Sequence, residues 1–134
     1  MLKTLIFLIF SFSLSSFAQS QCPNLSGEYE TAKIVQTGCQ SLQLTQYRPE
    51  GDLTDNIILD NVYRKLPSMP QFDTASTFNE FQIIFNSKDK LGKHVRIFQF
   101  SLTAQGDFLS QRIVLDGNGH ILSADGFVDS RVKN

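Results

Sequence analysis

Reactive side chains are scarce in this chain. It has two cysteines, two histidines and no tryptophan among 134 residues, and its formal net charge is −1. Each shortage removes a class of chemistry. Structural zinc needs about four thiolate or imidazole ligands at suitable spacing. Neither Cys22 nor Cys39 has a nearby His or second Cys, so no metal site is expected. A catalytic redox pair usually reads Cys-x-x-Cys, which this pair does not. Nucleic acids and anionic membranes call for concentrated Lys and Arg. The densest basic run, Lys88, Lys90 and Lys93, is interrupted by Asp89 and reads as a solvated turn. Beyond the N-terminal segment, no apolar run approaches the ~20 residues of a bilayer span.

Catalytic patterns are equally sparse. No serine sits in Gly-x-Ser-x-Gly, and the acidic residues are scattered through turns, so no carboxylate pair suggests itself. His94 and His120 read as solvent-exposed strand-end residues. Asp116-Gly117-Asn118-Gly119-His120 places oxygens at alternate positions, as a calcium loop does. An EF-hand would also need Gly sixth and Glu twelfth, where this chain has Ile121 and Phe127, so a hairpin turn is expected. Neither an enzyme nor a cofactor is expected.

The N-terminus is informative. Residues 1–18, MLKTLIFLIFSFSLSSFA, carry one charge, Lys3, ahead of an apolar stretch from Leu5 to Leu14. Ser16 and Ala18 then supply small residues at −3 and −1 of a signal-peptidase site, predicting cleavage after Ala18, with Ser20 as the alternative. A lipid anchor on Cys22 is not expected after Gln19-Ser20-Gln21. The expectation is a signal peptide over 1–18 and one secreted or periplasmic domain over 19–134.

Within 19–134 the apolar residues follow a period of two. Phe81, Ile83 and Phe85 alternate, as do Phe98, Phe100 and Leu102, and Leu109, Ile113 and Leu115 continue the pattern. β-Branched and aromatic residues suit a half-buried pleated surface. Turn residues divide the chain at Thr37-Gly38, Pro49 to Asp52, Asp60-Asn61, Lys90 to Gly92, Gln105 to Asp107 and Asp116 to Gly119. Strands are predicted near 27–35, 40–47, 56–60, 62–66, 77–86, 93–103, 108–115 and 119–129. Pro67 to about Ser76 is expected to be irregular, because two prolines cannot donate to a ladder. The fold class is all-β: a single antiparallel up-and-down meander of about eight strands, closing into a small barrel, with a β-sandwich as the alternative.

Asn24-Leu25-Ser26-Gly27-Glu28-Tyr29 resembles the first strand of calycins, the lipocalin, fatty-acid-binding and avidin-like barrels, which open on Gly-x-Trp. Gly27 matches the glycine, Tyr29 stands where the tryptophan would be, and Cys22 shortly before is similar to the avidin start. The resemblance implies a small barrel that holds an apolar ligand in its mouth. The chain departs from it in having no Trp, so biotin stacking is not expected, and no Thr-Asp-Tyr motif. Arg131 lacks a clear partner pattern.

Two cysteines in an oxidising compartment are expected to pair, and the staple would be worth about 3 kcal/mol. A free or intermolecular thiol is the alternative. A simple hairpin of 27–35 with 40–47 starts Cys22 and Cys39 at opposite ends, roughly 20 Å apart, so the lead-in would have to double back across the sheet. Tyr29, Tyr47, Tyr63, Arg96, Gln99 and Arg112 are polar-tipped or charged residues on apolar strands, and are the candidates for orienting a ligand in a barrel lumen. Two functions remain open. One is a small β-barrel binding a small, partly apolar molecule without catalysis. The other is a protein-interaction module, an inhibitor or envelope-surface protein, with a filled core. The second predicts an exposed apolar patch around Pro67 to Phe78, where Leu66, Met69 and Phe72 lie close together.

Overall fold

The structure is a computed structural model that describes residues 21–133; the predicted signal peptide lies outside the described residues. The described chain is all β. Ten strands run β1 (Gly27–Glu28), β2 (Ala32–Thr37), β3 (Ser41–Gln46), β4 (Leu53–Ile58), β5 (Arg64–Leu66), β6 (Met69–Phe78), β7 (Ile83–Lys88), β8 (His94–Leu102), β9 (Phe108–Leu115) and β10 (Ile121–Asp129). They form two antiparallel sheets with strands in sequence order, β1 to β4 and β5 to β10.

The expected meander is present, but its expected closure into one hydrogen-bonded barrel is not. No ladder joins β4 to β5 among the described residues. The chain leaves β4 through Asp60 and Asn61, and the left-handed backbone of Asn61 (φ 59°) turns it away from the sheet. At the opposite seam a bridge between Tyr29 and Arg131 connects the sheets. Backbone bonds from Glu30 N to Ser130 O (3.0 Å) and Val132 N to Glu28 O (2.9 Å) flank it.

Two predicted strands are hairpins instead. The segment 27–35 folds back at Glu30-Thr31, where Tyr29 N donates to Ala32 O at 2.8 Å. The segment 77–86 turns at Asn79, whose side-chain oxygen accepts from Phe81 N (2.9 Å) and Gln82 N (2.8 Å). Phe81 is thereby thrown out of the alternation and is 73% exposed. Pro67 to Ser76, expected to be irregular, is mostly strand β6. Pro70 is tolerated because the β7 ladder begins only at Asp73, opposite Lys88, and the β5 ladder is irregular there.

The first hairpin explains the disulfide. Cys22 and Cys39 are bonded, with Cα atoms 5.7 Å apart. Gly27 pairs with Ile34 and Glu28 with Lys33. Continuing that register outward puts Cys22 beside Cys39, so the lead-in runs antiparallel to β2 and does not cross the sheet. Gln36 holds it there: its Oε1 accepts from Leu25 N (2.9 Å), and its Nε2 donates to Pro23 O (2.8 Å) and Gly38 O (2.9 Å).

The core lies between the sheets. Ile34, Leu42, Leu44 and Ile57 from the first sheet are buried against Ile83, Phe85 and Phe108 from the second. Full burial of each such side chain contributes about 1.5–3 kcal/mol. A series of rings runs from Tyr29 to Phe108 (5.4 Å), Phe100 (4.9 Å) and Phe85 (4.6 Å), tying the two sheets together.

Candidate functional site

Strand alternation decides which side chains enter the space between the sheets. On β8, Phe98 lies opposite Phe85 and Arg112, while Phe100 lies opposite Ile83 and Ser110. Arg96, Phe98 and Phe100 therefore share one face. On the facing sheet, Leu44 lies opposite Asp55 and Leu42 opposite Ile57. Residues from these rows border a half-open cavity of about 150 Å3. Its walls are chiefly Leu44, Ile57, Leu66, Phe85, Phe98 and Phe100, and its polar groups are Gln46, Arg48, Asp55, Ser68 and Arg96.

Each polar group is held differently. Asp55 is buried, with 2% of its surface exposed. Its Oδ1 accepts from Ser68 N at 3.0 Å and its Oδ2 from the Ser68 hydroxyl, so both oxygens are engaged across the β4/β5 seam. Arg48 lies exposed at the rim and donates through Nη2 to Gln46 Oε1 at 2.7 Å. Arg96 is half-buried, with its guanidinium 5.0 Å from the Phe72 ring centre. No ion pair or hydrogen bond of its side chain is found among the described residues.

Two further hollows adjoin this cavity. One, about 270 Å3, shares Leu44, Gln46, Arg48, Phe98 and Phe100 with it and reaches Tyr47 and Phe127. The other, about 280 Å3, contains Arg112, Asp125 and Phe127. Phe98 borders all three. Arg112 is bidentate with Asp125 (3.1 and 2.6 Å) and so already has its anion.

The six residues expected to face a lumen are distributed unequally. Arg96 lines the cavity, and Tyr47 and Arg112 line the adjoining hollows. The Tyr47 hydroxyl donates to Glu28, which holds the phenol up to about 12. Gln99 is on the other face of β8, opposite Ile84 and Gln111. Tyr63 is exposed beside the Lys88 ammonium, 4.2 Å from its ring centre. Tyr29 is fully buried as a core residue. Burial raises its phenol pKa, an effect partly opposed by Arg131. Leu66, Met69 and Phe72 do not form an exposed patch: Leu66 is buried, and Met69 and Phe72 are half-buried.

Asp55 and Ser68 are not legible as site residues in the sequence, since Asp55 falls just ahead of the predicted strand 56–60 and Ser68 within the segment expected to be irregular. His94 and His120 are exposed. His120 Nδ1 lies 3.1 Å from Asp116 Oδ2 inside the β9–β10 turn. Among the described residues no three His, Cys, Asp or Glu side chains gather as a metal site. Nor is any described helix long and apolar enough to cross a membrane. The chain matches no protein family, no curated protein and no solved structure.

Proposed function

We propose that this is a secreted or periplasmic binding protein. In this reading its two sheets act as an incompletely closed, calycin-like barrel that takes a small, partly apolar molecule between them without catalysis. The cavity carries the reading: an apolar wall from both sheets with a few convergent polar groups is the usual form of a small-molecule site. Leu66 and Met69, which would have formed an interaction patch, turn toward that wall instead. The Cys22–Cys39 bond suits an oxidising compartment. The open β4/β5 seam, spanned by Asp55 and Ser68, is a natural entrance.

Native mass spectrometry of protein purified from its own periplasm or medium tests this. A co-purifying small molecule is the expected result. Repeated recovery of the bare polypeptide mass, with a crystal structure showing the space filled by side chains, would refute it.

A further inference from the structure

Two features of the cavity are unusual together: its size and its unneutralised positive charge. A dry cavity of about 150 Å3 lined by Leu, Ile and Phe accommodates a benzene-sized molecule. The half-open space between Leu44, Ile57, Leu66, Phe85, Phe98 and Phe100 has that volume and an apolar wall of that kind, with Gln46, Arg48, Asp55, Ser68 and Arg96 as its polar part. One ring fills it; a long acyl chain would have to continue into the adjoining hollow past Phe98 and Phe100.

The charge is read from partners. Desolvating a cation costs free energy unless an anion or hydrogen-bond acceptors compensate it. Other arginines of the second sheet and its C-terminal extension are compensated. Arg64 is bonded to Asp60 at 2.7 Å, Arg112 to Asp125 at 2.6 Å, and Arg131 Nε to Gly106 O at 2.9 Å. Arg96 has only the face of Phe72. The one buried carboxylate in the same lining, Asp55, has both oxygens engaged by Ser68 and forms no ion pair with Arg96. Arg48 adds a second positive charge at the rim. A guanidinium presents a planar fork of donors that matches a carboxylate in a bidentate manner.

Resting on the binding reading above, we infer that the ligand is a small aromatic acid: a single ring seated against Phe85, Phe98 and Phe100, with its carboxylate on Arg96. Arg96 is then the specificity-determining residue, and Phe72 holds its guanidinium in place by stacking.

Titration of the oxidised protein with toluene, phenylacetate and benzylamine, followed by two-dimensional NMR at fixed ionic strength, tests this. The three probes share a ring and differ in charge. Phenylacetate is expected to bind at least about tenfold more tightly than the other two, as a charge-assisted hydrogen-bonded pair gives. Arg96→Met is expected to remove that advantage while leaving toluene binding within about twofold, which also shows that the variant keeps its cavity. Arg96→Lys, which keeps the charge but loses the fork, is expected to fall between. If toluene binds as well as phenylacetate, or Arg96→Met leaves phenylacetate unchanged, the inference is wrong and the binding reading stands. Tighter binding of benzylamine would move recognition to Asp55 and overturn it. Hexadecanoate is titrated as a fourth, ringless probe, and tighter binding of it than of phenylacetate would overturn the single-ring assignment. If no probe binds at millimolar concentration, this inference is wrong, and the binding reading is decided by the native mass spectrometry above.

Discussion

The guanidinium of Arg131 lies over the ring of Tyr29, 5.2 Å from its centre, although the two residues are 102 positions apart. Its Nη2 donates to the Tyr29 hydroxyl (3.2 Å), which itself donates to Leu25 O (2.7 Å). Nε donates to Gly106 O (2.9 Å), and Nη1 reaches Ser26 O at 3.4 Å. This stack fastens the first turn of the chain to the last and closes one seam between the sheets. It also explains Gly27, because a Cβ there would come within 2.7 Å of Arg131 Nη1.

Arg131→Met should therefore destabilise the protein by roughly 1–3 kcal/mol, since it removes a cation–π contact and leaves a buried hydroxyl short of a donor. Gly27→Ala should cost a comparable amount, because Arg131 is pinned at several atoms and cannot swing away freely. Combining the two should cost less than their sum, as both act on one contact. Urea denaturation of the two single variants and the double variant measures this.

Loss of the staple should be felt throughout the fold. Replacing Cys22 and Cys39 together by Ser is expected to lower stability by about 2–4 kcal/mol, mainly by freeing the unfolded chain. The Gln36 bonds to Leu25, Pro23 and Gly38 remain, so the native register should survive. Denaturation midpoints measure the first expectation; amide shifts of Leu25 and Gln36 in the double variant check the second.

The seam at β4 and β5 depends on a single acid. Ser68→Ala removes a hydroxyl donor from the buried carboxylate of Asp55 and should cost roughly 1–3 kcal/mol. Because no ladder joins those strands, the effect should be local as well as global. Amide hydrogen exchange should accelerate most in β5 and the start of β6, with β2 and β3 little changed.

Acid stability has a defined contributor in Asp60. The Arg64 guanidinium beside it, together with the Val62 amide, holds its carboxyl at about 2 against an ordinary 3.8. A lowered folded-state value means stability that is fully present above 3.8 and lost as pH falls through about 2. Asp60→Asn should flatten stability against pH in that interval and leave the slope near neutrality unchanged. Chemical denaturation across the acid range, with a carbon-detected titration of Asp60, checks it.

The fold was legible where alternation was uninterrupted. Ile97 against Phe98 and Phe100, and Ile113 against Arg112 and Val114, gave β8 and β9 within a residue or two. It failed where the turn chemistry was quiet. Glu30-Thr31 contains neither Gly, Pro nor Asn, so the hairpin that places Cys22 beside Cys39 was hidden inside an apparent strand. At Asn79 the turn signal is a single side chain capping two amides, and Phe81 mimicked the apolar alternation of a continuing strand. β6 was missed because proline normally argues against a strand, whereas Pro70 precedes the β7 ladder.

The site was only half legible for the same reasons. Arg96 and Gln99 were both candidates, yet residues an odd number apart on a regular strand point to opposite faces, so one of the pair had to lie outside. Asp55 and Ser68 meet across a gap between strands, which no local pattern encodes. The partner of Arg131 lies at the other end of the chain.

Xenon derivatisation of a crystal probes the cavity most directly, because xenon enters apolar spaces of this size without polar contacts. A strong peak in contact with Leu44, Ile57, Phe85 and Phe98 is the result predicted here. The account would be contradicted by well-ordered side chains closing that space with no xenon density between the sheets.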